Sequence, residues 1–113
     1  MYERYGLDDD AMPADVFDAR IFDEEGERTG FLGDSAFWES VLPSCTFDAE
    51  TGDIEDVRLY PLDLGYGKPR PERGRPVLAS GETATEILEH VIDLSAPYDT
   101  QIDLEDGTAR VEL

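Results

Sequence analysis

Ile102-Asp-Leu-Glu-Asp-Gly-Thr-Ala-Arg-Val111 is the stretch that decides the fold. Asp106-Gly107 is a type I′ turn signal, because both central residues of that turn take positive φ. Placing them at the turn pairs Glu105 with Thr108, Leu104 with Ala109, Asp103 with Arg110 and Ile102 with Val111. Thr100, Ile102, Leu104, Ala109, Val111 and Leu113 then share one face, apolar except for the threonine. The opposite face carries Gln101, Asp103, Glu105, Arg110 and Glu112, with Asp103 and Arg110 set opposite each other as a cross-strand ion pair.

That apolar face needs a cover, and the segment before it supplies one. Between Ser80 and Leu94, Ala84, Ile87, Leu88, Val91 and Ile92 recur at i, i+3, i+4, i+7 and i+8, the stripe of an amphipathic helix. Ser80 stands at the N-cap with Glu82 in the first turn, and Pro97 ends the helix. Further upstream, Phe37 to Phe47 is rich in strand formers. Asp48-Ala-Glu-Thr-Gly52 supplies a turn, and Ile54 to Pro61 the returning strand. Pro43 cannot donate to a ladder, so its strand has an unpaired stretch or lies at an edge. The prediction is an α+β fold: a small antiparallel sheet of two hairpins packed on one main helix.

Residues 1–33 read as an irregular, short-helical segment preceding an α+β domain over 34–113. Tyr2 to Tyr5 followed by Gly6 has the pattern of a last helical turn with glycine just past it. Pro13 to Arg20 predicts a short helix opened by proline and closed by arginine. A chain that opens on the end of a helix reads as a piece cut from something larger.

The charge balance excludes several function classes. Asp and Glu number 28 against 9 Lys and Arg, a formal net charge of -19 over 113 residues. Nucleic-acid binding and docking on an anionic membrane both require the opposite sign. No run of about 18 apolar residues is present to span a membrane, and Met1 to Asp10 lacks the basic flank and apolar core of a secretory signal. With 40% hydrophobic residues, the acid does not mark a disordered chain. An acidic surface with one lysine, Lys68, fits a protein adapted to molar salt, where the Debye length is only about 3 Å and self-repulsion is screened.

The catalytic inventory is thin. His90, with Glu86 and Glu89 on the same helix, admits an acid–base pair or a metal ligand. The plainer reading is an exposed histidine beside Glu86, one turn back. Cys45, the single cysteine, is expected to be a buried and inert thiol. Asp8-Asp-Asp10 and Asp23-Glu-Glu25 lack the alternating spacing and central glycine of a calcium loop and read as solvated surface. No catalytic and no metal-ligating residue is assigned.

The one candidate site is basic. Lys68, Arg70, Arg73 and Arg75 place four of the nine cations within eight positions, in Lys68-Pro-Arg-Pro-Glu-Arg-Gly-Arg-Pro76. Pro69, Pro71 and Pro76 favour an extended, polyproline-like backbone that holds these side chains outward. Two uses are open: a clamp for a carboxylate- or phosphate-rich ligand, or a loop whose arginines pair with carboxylates of this domain or a neighbouring one.

Three segments carry a family likeness: Leu59-Tyr-Pro-Leu-Asp-Leu-Gly-Tyr-Gly-Lys-Pro-Arg-Pro-Glu-Arg-Gly-Arg-Pro-Val-Leu-Ala79, Gly81-Glu-Thr-Ala-Thr-Glu-Ile-Leu-Glu89 and Leu94-Ser-Ala-Pro-Tyr-Asp-Thr100. In this order the stretch from Trp38 onward resembles the C-terminal end of CapA-type proteins, the capsule and poly-γ-glutamate biosynthesis family. The acidic, lysine-poor composition is similar to that of a haloarchaeal member. The resemblance implies a parent with a calcineurin-like metallophosphoesterase fold, a two-layer β-sandwich flanked by helices. It also implies a divalent metal held by Gly-Asp, Gly-Asn-His and Gly-His-x-His type motifs in an N-terminal domain. Gly-Asp stands at 33–34 and 52–53, but neither Gly-Asn-His nor Gly-His-x-His accompanies it, so no catalytic residue carries over and no cofactor is expected on this segment.

The implied role is non-catalytic. The segment completes the parent fold against the missing N-terminal domain, and the basic loop over 68–75 contacts a polyanionic polymer. A homodimer through exposed apolar surface is the other partner compatible with an excised piece. The rival class is a stand-alone binding or oligomerisation module of a salt-adapted protein with no link to an enzyme. Location stays open between cytoplasm and cell surface, since a targeting signal would sit on the N-terminal part.

Overall fold

The computed structural model describes residues 3–23 and 25–113. The C-terminal hairpin has the expected register. Strands β4 (Ile102–Glu105) and β5 (Thr108–Val111) pair Ile102 with Val111, Asp103 with Arg110, Leu104 with Ala109 and Glu105 with Thr108. Asp106 and Gly107 take φ values of 40° and 80°, as a type I′ turn requires.

A second hairpin, β1 (Glu39–Phe47) and β2 (Ile54–Asp63), joins the first edge to edge through Arg58–Arg110 and Leu59–Ala109. The result is one antiparallel sheet in the order β1-β2-β5-β4. A short fifth strand, β3 (Val77–Leu78), pairs with Leu62 and Asp63 of β2. With the helices α1 (Pro13–Ile21) and α2 (Gly81–Ser95), the chain is a small α+β fold. β1 is an edge strand, the position that Pro43 tolerates.

The main helix α2 covers one face of this sheet. Ala84, Ile87 and Leu88 are fully buried on it, with Val91 and Ile92 half-buried beside them. Leu88 packs with Leu59, Ile102 and Ala109, and Val91 and Ile92 lie against this cluster with Val41, Val57 and Val111. Burying one side chain of the size of Ile87 or Leu88 contributes about 1.5–3 kcal/mol, so this small cluster carries the domain. Ser80 holds the N-cap position, but its side chain makes no capping hydrogen bond. The helix ends at Ser95, whose Oγ donates to the Val91 carbonyl at 2.7 Å, and Pro97 then turns the chain through a single 3-10 turn.

Side chains alternate across a strand, so the pairing also defines the uncovered face. Leu42 lies opposite Tyr60, and Leu62 opposite Leu78, all pointing away from α2. Leu42 is 53% and Leu78 65% exposed. Tyr60 and Leu62 between them are half-buried. The radius of gyration is 18.5 Å with extents of 58 × 29 × 25 Å, against about 13 Å for a compact domain of this length. The far end of the β1–β2 hairpin, with Phe47 opposite Ile54, accounts for part of the excess.

Several expectations are corrected. Cys45 is exposed, because β1 runs on past the part of the sheet that α2 covers. Arg110 does not bond Asp103 across the hairpin: its guanidinium reaches Asp56 of β2 at 3.1 Å and Glu105 at 3.4 Å. Leu104 and Leu113 stay exposed on the hairpin's apolar face. β1 starts at Glu39, since Ser35–Trp38 forms a 3-10 turn capped by the Asp34 carboxylate.

The described part of the N-terminal segment holds a 3-10 turn and the helix α1. The 3-10 turn at Glu3–Tyr5 ends on Gly6 with φ 69°; Tyr2, the first residue of the expected turn, lies outside the described residues. In α1 the Asp15 carboxylate accepts the Met12 N–H at 2.8 Å, and Val16 and Ile21 are buried. Of the acidic run at 23–25, Glu24 is outside the described residues. Asp23 Oδ1 accepts the N–H groups of Glu25 and Glu27, which spends it on a turn.

Candidate functional site

The basic loop leaves β2 at Asp63 and folds back on itself. Gly65 N–H donates to Asp63 Oδ1 at 2.8 Å, Lys68 N–H to the Gly65 carbonyl at 3.0 Å, and Gly74 N–H closes the loop on the Leu64 carbonyl at 2.8 Å. Gly65 adopts φ 89°, and a Cβ there would lie 2.6 Å from the Glu72 carbonyl oxygen. Only glycine fits that approach. The expected polyproline run is interrupted: Pro69 (φ -58°, ψ 156°) and Arg73 (φ -75°, ψ 139°) have that conformation, but the residues between them do not. Arg70–Glu72 then forms a 3-10 turn, which carries the arginines toward α1 instead of outward.

Two of the four cations meet carboxylates of this chain. Arg70 donates from Nε to Asp18 Oδ2 at 2.8 Å and from Nη2 to Asp15 Oδ1 at 2.8 Å. Arg73 Nη2 lies 2.6 Å from Asp18 Oδ1, with only 15% of its side chain exposed. The hydrogen bond from Arg70 holds the Asp15 carboxyl below the usual carboxylate range, with help from the Met12 N–H. Burial pushes Asp18 up, but the hydrogen bonds from Arg70 and Arg73 together outweigh it and leave Asp18 lowered as well. The same contacts raise Arg70 above its ordinary value, Asp18 more than Asp15.

Lys68 and Arg75 form no ion pair among the described residues. Lys68 borders a cleft of about 390 Å³ lined also by Glu39, Asp63, Glu86, Trp38 and Tyr66. Arg75 lines a smaller hollow of about 120 Å³ with Asp63, Lys68 and Glu72. The predicted cluster is therefore split: one pair of cations bonded to α1, the other on the opposite flank of the loop among carboxylates.

Sequence reasoning missed two features. Arg28 is stacked between aromatic rings, 4.2 Å from the Tyr66 centroid and 5.3 Å from that of Phe22, which ties the loop to the N-terminal segment. Beneath the Arg70–Arg73 pair lies an apolar cavity of about 210 Å³ lined by Ala14, Phe17, Ile21 and Trp38. Both join residues far apart in sequence, with no local periodicity to announce them. His90 is exposed, as expected, but its partner is Glu39 of β1, with Nδ1 to Oε2 at 3.4 Å, and not Glu86.

Among the described residues no three His, Cys, Asp or Glu side chains converge as metal ligands. Likewise no described helix is long and apolar enough to cross a membrane.

No family model matches the chain. Two uncharacterized proteins of Sinorhizobium fredii (strain NBRC 101917 / NGR234), y4sH and y4uA, are each 38% identical to it over 84 residues. The matched segment is 74% of this chain and 18% of each relative, so the chain is similar to a minor part of two much longer proteins.

Proposed function

We propose that this chain is the non-catalytic C-terminal part of a CapA-type protein of capsule or poly-γ-glutamate biosynthesis, where it completes the fold of a metallophosphoesterase-like parent. The observation that carries this reading is the ordered set of segments over 59–79, 81–89 and 94–100. In space these form one continuous unit: the end of β2, the closed loop, β3 returning to β2, and α2. The exposed Leu42 and Leu78 on the sheet face turned from α2, with Tyr60 and Leu62 half-buried between them, support a role as one layer of a larger assembly. Similarity to a minor part of longer relatives is compatible with the same role. In this reading the basic loop lies at the rim of the parent and contacts a polyanion.

Two tests bear on it. The reading predicts that the matched segment lies at the C-terminal end of both Sinorhizobium relatives, preceded by Gly-Asp, Gly-Asn-His and Gly-His-x-His motifs; their absence removes the family assignment. For the polyanion contact, isothermal titration of the chain against poly-γ-glutamate should give a heat that falls when Lys68 and Arg75 are changed to Ala. Equal heats from both proteins end that part of the proposal.

A further inference from the structure

We propose that α1 is a displaceable strap: Asp15 and Asp18 fill an anion site made by the guanidinium groups of Arg70 and Arg73, and an outside anion gains that site only by lifting the helix. This rests on the reading of the basic loop as an anion contact. It names the two arginines that form the enclosed part of the contact and the element that controls them.

The geometry is that of a filled site. Asp15 and Asp18 are three residues apart on a helix and so project from one face toward the loop. Arg70 spans both carboxylates, and Arg73 takes the second oxygen of Asp18. Arginine forks select carboxylate and phosphate oxygens, so the resident pair displays the ligand chemistry the site accepts. The apolar cavity under the arginines, floored by Trp38 and Ile21, gives a displaced or competing group room beside the fork.

The anchoring of α1 is uneven. Ile21 is fully buried, its carbonyl accepts the Thr29 N–H at 2.7 Å, and Phe22 N–H donates to the Asp18 carbonyl, so the C-terminal end is pinned. Toward the other end, Met12 is 59% and Phe17 51% exposed. Val16 is buried and Ala14 half-buried there, the 3-10 turn at Glu3–Tyr5 lies against the helix, and the arginine pair completes the attachment. The Arg70 ion pairs, with 40% of that side chain exposed, add little net stability, and the more enclosed Arg73 makes one contact, to Asp18. The helix therefore opens about the Ile21 end when another anion takes the arginines.

The test is amide hydrogen exchange over residues 13–21 while the chain is titrated with inorganic phosphate, at constant ionic strength made up with KCl. Phosphate is expected to accelerate exchange in α1 several-fold and leave the α2 amides unchanged. The Asp15→Asn/Asp18→Asn double variant, near-isosteric with the native pair, should bind phosphate about ten-fold or more tightly than the native chain, because the closed fraction no longer reduces the apparent affinity. Arg70→Ala/Arg73→Ala should abolish that gain. Equal phosphate affinities for the native chain and the Asn variant, or unchanged α1 exchange at saturation, overturn the strap and leave the loop an ordinary anion surface. Absence of phosphate binding in both proteins overturns the strap together with the anion reading beneath it.

Discussion

Gly65 and Glu72 approach so closely that a methyl group on the first would sit 2.6 Å from the carbonyl oxygen of the second. That approach turns the chain after β2 and brings the basic loop back against the N-terminal helix. The contacts of Arg70 and Arg73 with α1 depend on it.

Gly65→Ala combines a φ of 89° with a clash against backbone that cannot swing aside. The expected loss is about 2–4 kcal/mol of stability, or a released loop. Gly52→Ala, at φ 78° but in open space, should lose only about 1 kcal/mol. Urea denaturation in high salt, followed by Trp38 fluorescence, separates the two. Equal midpoints contradict the close approach.

Removing the buried α2 side chains should be far more damaging than removing exposed ones. Leu88→Ala and Ile87→Ala are each expected to cost about 2–5 kcal/mol, enough to unfold so small a core. Leu94→Ala, at a position 62% exposed, should stay within about 0.5 kcal/mol of the native protein. Circular dichroism at 222 nm against denaturant checks both.

The Asp15 and Asp18 carboxyls are held below their ordinary value of 3.8. A group depressed on folding stabilises the folded form fully above its unfolded value, and the effect is lost as pH falls through the folded one. The attachment of α1 should thus be constant from neutral pH down to about 4.5 and weaken below 3.8. Hydrogen exchange of α1 amides across that range reports it. Asp18→Asn should flatten the profile. Attachment that weakens only on raising the pH would have the wrong sign.

The stacked Arg28 offers a separate handle on the same junction. Arg28→Ala, which removes the cation from the Tyr66 and Phe22 rings, should cost about 0.5–1 kcal/mol. Tyr66→Phe keeps the ring and loses only a 3.4 Å hydrogen bond to the Gly33 carbonyl, so it should cost less than Tyr66→Leu. Equilibrium unfolding of the three variants gives the order.

The parts of this fold legible in the sequence are those set by neighbours in the chain. Asp106-Gly107 and the alternation around it specify the β4–β5 register, and the spacing of Ala84, Ile87, Leu88, Val91 and Ile92 specifies the face of α2. What escaped depends on how elements meet. Arg110 turns to Asp56 because β2 pairs with β5, a neighbour invisible to a reading confined to one hairpin. Glu39 reaches His90 across 51 positions, and Arg70 reaches Asp15 and Asp18 across 55 and 52. The composition around Cys45 resembles that of a buried strand, but burial is decided by what lies on top, and α2 does not extend that far. For the candidate site, charge contrast located the loop but not the division of its four cations into a bonded and an unbonded pair.

The sheet has one face under α2 and another on which Leu42 and Leu78 are exposed, and the proposed role as a layer of a larger protein stands on the second. Binding of 8-anilinonaphthalene-1-sulfonate by the isolated chain in molar KCl measures that face directly. The native chain should bind the dye and fluoresce, and Leu42→Ser/Leu78→Ser should lose most of the signal while its denaturation midpoint stays unchanged. No dye binding by the native monomer, or equal fluorescence from the variant, would contradict the account.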